Sequence, residues 1–136
     1  GIDFTNLDGS QGFNPWQSYG QSKLANILCA KSLGQQLSGT KITANAIHPG
    51  VIKTNLSRYS AGPLFNVIQF FANFFQRSVA QGAATQCYVA THPSLSETSG
   101  AYFADSDIAV PSKQAQDSAL AQQLWNESLR LVEGYL

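Results

Sequence analysis

Ile42-Thr43-Ala44-Asn45-Ala46-Ile47-His48-Pro49-Gly50-Val51-Ile52-Lys53-Thr54 opens as an uncharged, largely apolar run and then meets a Pro-Gly break. The first part, Ile42 to Ile47, predicts a short strand that is buried or nearly so, and its lack of charge fits a parallel sheet covered on both faces. Pro49-Gly50 then turns the chain sharply at the strand's C-terminal end, which in open α/β sheets is where ligands bind. The plainer alternative is an ordinary strand-to-helix turn in which Thr54 caps the next helix.

Upstream of the strand, Pro15 suits the first turn of a helix, and Leu24, Ile27, Leu28, Ala30, Leu33 and Leu37 recur at helical spacing, with an end expected before Gly39. Tyr19 and Lys23 stand four residues apart on that helix. Residues i and i+4 share a face one turn apart, so a phenol and an ammonium can address the same small volume. A free phenol titrates near about pH 10, and a cation within roughly 4 to 6 Å favours the phenolate. Such a pair can give and take a proton, as a carbonyl must when it receives a hydride at carbon. The spacing also arises by chance, and a helical Tyr is commonly core packing with its hydroxyl at the rim. Context strengthens the chemical reading: Ser22 and Ala25 keep the helix slim, Asn26 follows, and the strand ending in Pro-Gly arrives one helix later.

Downstream, Pro63-Leu64-Phe65-Asn66-Val67-Ile68-Gln69-Phe70-Phe71-Ala72-Asn73-Phe74-Phe75 holds five of the chain's eight Phe. As a helix it would be apolar on most sides, yet it falls short of the roughly 20 residues that a bilayer crossing needs. It reads as a greasy lid or substrate wall, or as a contact for a partner or a membrane surface; the plain alternative is a helix packed on its own protein. Ser78 to Thr91 predicts a helix opened by a Ser78–Gln81 capping box and ended by Pro93. Ala101 to Phe103 predicts a brief strand. Gln114 to Val132 predicts a covering helix with Leu120, Leu124, Leu131 and Val132 along one face. Gly1 to Gly12 is polar, with isolated Ile2, Phe4 and Leu7, and predicts surface loop. There are no repeats, and nothing suggests a second domain.

Net charge is zero and the cations are dispersed, so the basic face on which nucleic-acid binding depends is missing. Cys29 and Cys87 fall on separate predicted helices without metal or disulfide spacing; buried free thiols are expected, and these favour an intracellular, reducing compartment. His48 and His92 each neighbour a Pro and lack a Cys or His companion at ligand spacing, so no metal site is expected.

Asn14-Pro15-Trp16-Gln17-Ser18-Tyr19-Gly20-Gln21-Ser22-Lys23-Leu24-Ala25-Asn26 resembles the active-site helix of the short-chain dehydrogenase/reductase family, in its branch of retinol dehydrogenases and WW-domain oxidoreductase-like enzymes. Ala44 to Gly50, Gly100 to Phe103 and Leu120 to Ser128 are similar to further stretches of that branch, so the likeness spans nearly the whole chain. The resemblance implies an α/β fold, the C-terminal half of a Rossmann-type doubly wound parallel sheet. It implies an NAD(P)-dependent oxidoreductase interconverting a carbonyl and an alcohol on a lipophilic, retinoid- or steroid-like substrate, with NADP favoured over NAD. Tyr19 would be the acid/base. Lys23 would tune it and hydrogen-bond the nicotinamide ribose. In the family's Pro-Gly-x-Val/Ile-x-Thr pattern, Pro49, Gly50, Val51, Ile52 and Thr54 would border the cofactor, with the main chain of Ile52 on the nicotinamide carboxamide.

The family's phosphate-cradling glycine motif does not occur in these residues, and its catalytic Ser and relay Asn lie upstream in this branch; Ser10 and Ser18 do not substitute for them. The chain begins at Gly1 and contains no Met. Residues 1–136 are therefore expected to be the C-terminal part of a single NAD(P)-binding domain whose N-terminal half is missing. An export signal or membrane anchor could lie in that half, which leaves localisation open, and an oligomer is compatible with the sequence. The isolated chain is expected to bind cofactor poorly, since strands without their neighbours leave open edges. Three other readings compete: a non-catalytic interaction fragment, a sugar-nucleotide epimerase relative that shares Tyr-x-x-x-Lys, and a light-driven pigment reductase.

Overall fold

Asn14 starts the first helix. Its side chain accepts hydrogen bonds from the Trp16 and Gln17 amides at 3.1 and 3.2 Å, and Pro15 at the first position has no N–H to leave unsatisfied. Helix α1 (Pro15–Gln36) runs through Gly34 and ends at Leu37, whose amide returns to the Leu33 carbonyl at 3.0 Å, with Gly39 in the left-handed region just beyond. The computed structural model describes residues 1–52 and 77–135. Lys53, Thr54 and the Phe-rich stretch Pro63 to Phe75 lie outside the described residues.

Among the described residues three short strands follow, β1 (Ala46–His48), β2 (Tyr102–Ala104) and β3 (Asp107–Ile108), in the order β1-β2-β3. The Gly100 amide donates to the Ala44 carbonyl at 2.7 Å, and the Ala46 amide to the Ala101 carbonyl at 2.9 Å. These bonds advance along both segments in the same direction, as parallel pairing requires. Among the described residues the other helices are α2 (Val79–Thr91), α3 (Lys113–Gln116) and α4 (Ser118–Val132), with single turns of 3-10 helix at Pro93–Leu95 and Glu133–Tyr135. The result is the expected mixed α/β class with a sheet that contains parallel pairing.

Packing divides the chain into two units: Gly1–Ala46 with Ser96–Tyr102 and Ala109–Leu136, and Ile47–Leu95 with Phe103–Ile108. The first is centred on α1 and α4. Leu28, Ala121 and Leu124 form its core, with Ile2, Phe4, Leu24, Ala25 and Leu120 packed around them. Burial of a side chain such as Leu28 stabilises by about 1.5 to 3 kcal/mol. Gly34 is needed for close approach: a Cβ there would lie 2.6 Å from the Gly100 nitrogen. Asn45 ties the same region together, its Nδ2 donating to the Thr98 carbonyl at 2.7 Å and its Oδ1 accepting from the Ala101 amide at 3.0 Å. The Lys31 ammonium hydrogen-bonds the carbonyl of Gln116, joining α1 to the end of α3.

The second unit buries Phe103, Thr85, Gly82 and Leu95. Helix α2 opens with the expected capping box, in which the Ser78 amide donates to Gln81 Oε1 at 2.8 Å and the Gln81 amide to Ser78 Oγ at 3.2 Å.

Several expectations need correction. The strand expected over Ile42 to Ile47 is confined to Ala46–His48, with Ile42 exposed, because Ala44 and Asn45 satisfy their polar groups through Ser99, Thr98 and the loop around them. Beside the expected parallel pairing, β2 and β3 add an antiparallel hairpin through Asp105 and Ser106, both at positive φ. Two such residues make the primed turn whose twist suits a tight hairpin, although Asp-Ser is not its usual wording. The helix expected over Gln114 to Val132 is broken at Asp117, which leaves the helical path and caps α4 by accepting from the Ala119 and Leu120 amides. Leu131 and Val132 are exposed at the far end of α4. Cys29 and Cys87 are exposed, not buried. Cys29 falls on the outward stripe of α1 with Ser22, Asn26 and Leu33, away from the buried Leu28 and Ser32.

Candidate functional site

Two sets of predicted residues lie in separate units. Tyr19 and Lys23 stand in the second and third turns of α1, within the first unit. The Lys23 Nζ lies over the Tyr19 ring, 5.3 Å from its centroid. Residues i and i+4 on one helical face bring the two groups together without help from any other element. Tyr19 is 62% exposed, so its phenol can be reached by a ligand. Ser22 Oγ donates to the Tyr19 carbonyl at 2.8 Å, and nothing lies within 4 Å of where a Gly20 Cβ would be, leaving open space beside the pair. Leu24, Ala25 and Leu28 fix the helix from its buried side. Lys23 also borders a cleft of about 500 Å³ lined by Trp16, Gly20, Ile27, Tyr102 and Ser112.

Pro49, Gly50, Val51 and Ile52 belong to the second unit and form one bend immediately after β1. Gly50 has φ +79°, a left-handed conformation that costs other residues about 1 to 2 kcal/mol. The bend is held by residues far along the chain. The Arg77 amide donates to the Val51 carbonyl at 2.8 Å, and Ile52 and Arg77 form an isolated parallel bridge. The Arg77 stem lies against Gly50, where an added Cβ would come within 2.8 Å of Cδ and Nε. Gly82 of α2 gives way to the Ile52 side chain, which a Cβ at that position would overlap.

The Arg77 guanidinium pairs in turn with Asp105 on the β2–β3 turn. A charged hydrogen bond from Arg77 holds the Asp105 carboxyl below the ordinary carboxylate range, and the same bond raises the guanidinium further. The turn is fixed to α2 as well, because the Ser106 amide donates to Thr85 Oγ1 at 3.1 Å.

Arg77, Gly82 and Asp105 were not singled out by sequence. Arg77 is one of several dispersed cations, and Asp105 sits in a hairpin whose wording is unusual. The one signal available was the bulky-free Gly82 followed by Thr85 on the small-residue face of α2. Thr54 lies outside the described residues. Among the described residues, no three His, Cys, Asp or Glu side chains gather as a metal cluster, and no helix is long and apolar enough to cross a membrane.

A family profile described as short chain dehydrogenase matches residues 2–62, a range containing Tyr19, Lys23 and the Pro49–Ile52 bend. The chain is 44% identical over 135 residues to the protein named short-chain dehydrogenase TIC 32 A, chloroplastic, of Brassica napus, covering 98% of this chain and 42% of that protein. Nearly the whole chain therefore has a counterpart in a protein named as a short-chain dehydrogenase. It is also 38% identical over 136 residues to human retinol dehydrogenase 14, covering 96% of this chain and 40% of that protein. The chain therefore spans about two-fifths of the length of these curated relatives. A solved structure of an uncharacterised protein from Mycobacterium paratuberculosis superposes with a TM-score of 0.70 at 24% identity, covering 98% of this chain and 45% of that one. That likeness shows the fold. With the sequence relatives, it gives this chain a Rossmann-like α/β fold.

Proposed function

We propose that this chain supplies the C-terminal part of one NAD(P)-dependent oxidoreductase domain that interconverts a carbonyl and an alcohol. The observation that carries the reading is the Lys23 ammonium over an accessible Tyr19 ring. The described residues offer groups that suit the nicotinamide end of a dinucleotide: a cation beside a phenol in the first unit and, in the second, a strand-end bend with Gly50 in the left-handed region. When bound, the nicotinamide supplies a hydride to the carbonyl carbon or takes one from the alcohol carbon. Tyr19 gives its proton to the carbonyl oxygen in reduction and takes it back in oxidation. Lys23 holds positive charge beside the phenol and donates to ribose hydroxyls. Pro49, Gly50, Val51 and Ile52 would border the nicotinamide, a role that the sequence pattern also gives to Thr54. Ile52 would offer its main chain to the carboxamide.

The substrate is a lipophilic alcohol or carbonyl compound, retinoid-like or steroid-like, and NADP is preferred over NAD. The names of the retinol dehydrogenase relatives support the substrate class, as does the Phe-rich composition of Pro63 to Phe75.

The test is turnover of a lipophilic aldehyde or ketone by the full-length protein with NADPH and with NADH. Tyr19→Phe is expected to lower turnover by roughly 10² to 10⁴ while cofactor affinity stays close to that of the parent. Lys23→Ala is expected to impair both cofactor affinity and rate. Unchanged turnover in Tyr19→Phe would remove the phenol from the mechanism.

A further inference from the structure

The Pro49–Ile52 bend presents main chain, so whatever fixes its backbone fixes its chemistry. A bend made of Pro, Gly, Val and Ile has few side-chain hydrogen bonds of its own to hold it. Among the described residues, Arg77 meets it in three ways. Its amide donates to the Val51 carbonyl at 2.8 Å. Its backbone forms a parallel bridge with Ile52. Its aliphatic stem occupies the space beside Gly50 that any side chain there would need. The stem must stay extended over Gly50 for this to work, and a half-exposed arginine ordinarily samples many rotamers. The ion pair with Asp105 removes that freedom at the far end of the side chain.

Asp105 is itself held. It is the first residue of the two-residue β2–β3 turn, the next residue's amide is bonded to buried Thr85 on α2, and α2 carries the Gly82 surface against which Ile52 packs. The chain of contacts closes on itself, from Gly50 through Arg77, Asp105, Ser106, Thr85 and Gly82 back to Ile52. All of it lies within the second unit.

We propose that Arg77, braced by Asp105, is a positioning residue that sets the main chain of the Pro49–Ile52 bend for the nicotinamide end of the cofactor. The role rests on the cofactor reading above. Arg77 does not touch the reacting atoms. It acts through Gly50 and Val51, and its effect is confined to the part of the dinucleotide that the bend borders.

The experiment uses the full-length protein and four forms of it: wild type, Arg77→Lys, Arg77→Leu and Asp105→Asn. Amide hydrogen exchange is followed at residues 51, 52 and 77. Affinity is measured for NADPH and NADH, and for ADP-ribose and its 2′-phosphate, which lack the nicotinamide. Arg77→Leu keeps an apolar stem without the charge, and Asp105→Asn keeps the shape of the brace without its charge. Both are expected to speed exchange of the Arg77 amide and to weaken dinucleotide binding by about 2- to 30-fold, the range found for residues that act without touching the ligand. Affinity for the ADP-ribose compounds should not change. Arg77→Lys, which retains a stem and a cation, should recover most of the dinucleotide affinity.

Exchange and dinucleotide affinity that stay at wild-type values in Arg77→Leu and Asp105→Asn would overturn the proposal. Equal loss of ADP-ribose affinity would also overturn it, because the effect would then be general loosening. A wild-type protein that binds neither dinucleotide would overturn the cofactor reading and this role with it, a result that exchange data alone could not produce.

Discussion

The Tyr19–Lys23 face and the Pro49–Ile52 bend solve the same problem, holding polar groups at a set place, by opposite means. On α1 the proposed chemistry rests on side chains, and the helix aligns them through its own i to i+4 geometry while its backbone hydrogen bonds are met internally. In the bend the proposed chemistry rests on the main chain, which, among the described residues, takes its order from Arg77, Gly82 and Asp105. A local device is robust to what lies elsewhere. A borrowed one fails when a remote residue changes, and the two should therefore respond differently to mutation.

The largest expected stability effect strikes the support of the helical face. Leu28→Ala empties the middle of the α1–α4 core and should cost about 2 to 5 kcal/mol in urea unfolding; a loss below about 0.5 kcal/mol would mean that α1 is held by something other than this core. Next is Gly34→Ala, which pushes a Cβ into the backbone of Gly100 and should cost about 1 to 3 kcal/mol. A neutral result would show that the close approach of α1 to residues 99–100 is not required. Gly50→Ala should cost about 1 to 2 kcal/mol from its left-handed backbone, with faster amide exchange at residues 51 and 77. Unaltered exchange would contradict the account of how the bend is held.

The smallest effect is expected from acid. The Asp105 carboxyl is held below its ordinary value by its hydrogen bond with Arg77. A lowered folded-state value means that the pair's contribution is fully present above the carboxyl's unfolded value, near 3.8, and is lost as pH falls through the lower folded one. The exposure of the pair keeps the effect small. Comparing urea midpoints of wild type and Asp105→Asn from pH 7 to pH 3 should show a gap that closes at the acid end, and a gap that widens there would reverse the sign of the interaction.

The same contrast explains what could be read from the sequence. The helix containing Tyr19 and Lys23, the Pro15 start and the Ser78–Gln81 capping box are local codes, and each stands where its spacing placed it. The strand expected from Ile42 is shorter because Ala44 and Asn45 look like strand but are tied by side-chain hydrogen bonds to Thr98–Ala101, more than fifty residues away. The break at Asp117 was missed because the apolar pattern continues across it, while the cap itself is a single residue's choice of backbone. Cys29 was misjudged by residue type, which takes no account of the helical face on which it falls. Arg77 and Asp105 carry no local signature at all. Their pairing exists only after a hairpin and a helix have brought two distant positions together.

The acid/base reading is tested most directly by a double-mutant cycle on turnover in the full-length protein, comparing Tyr19→Phe, Lys23→Met and both together under saturating cofactor. If the two side chains act as one proton-transfer unit, as their shared face implies, the double variant should be little slower than Tyr19→Phe alone. Rate losses that multiply, so that the double variant falls by the product of the two single effects, would show two independent residues and contradict the account.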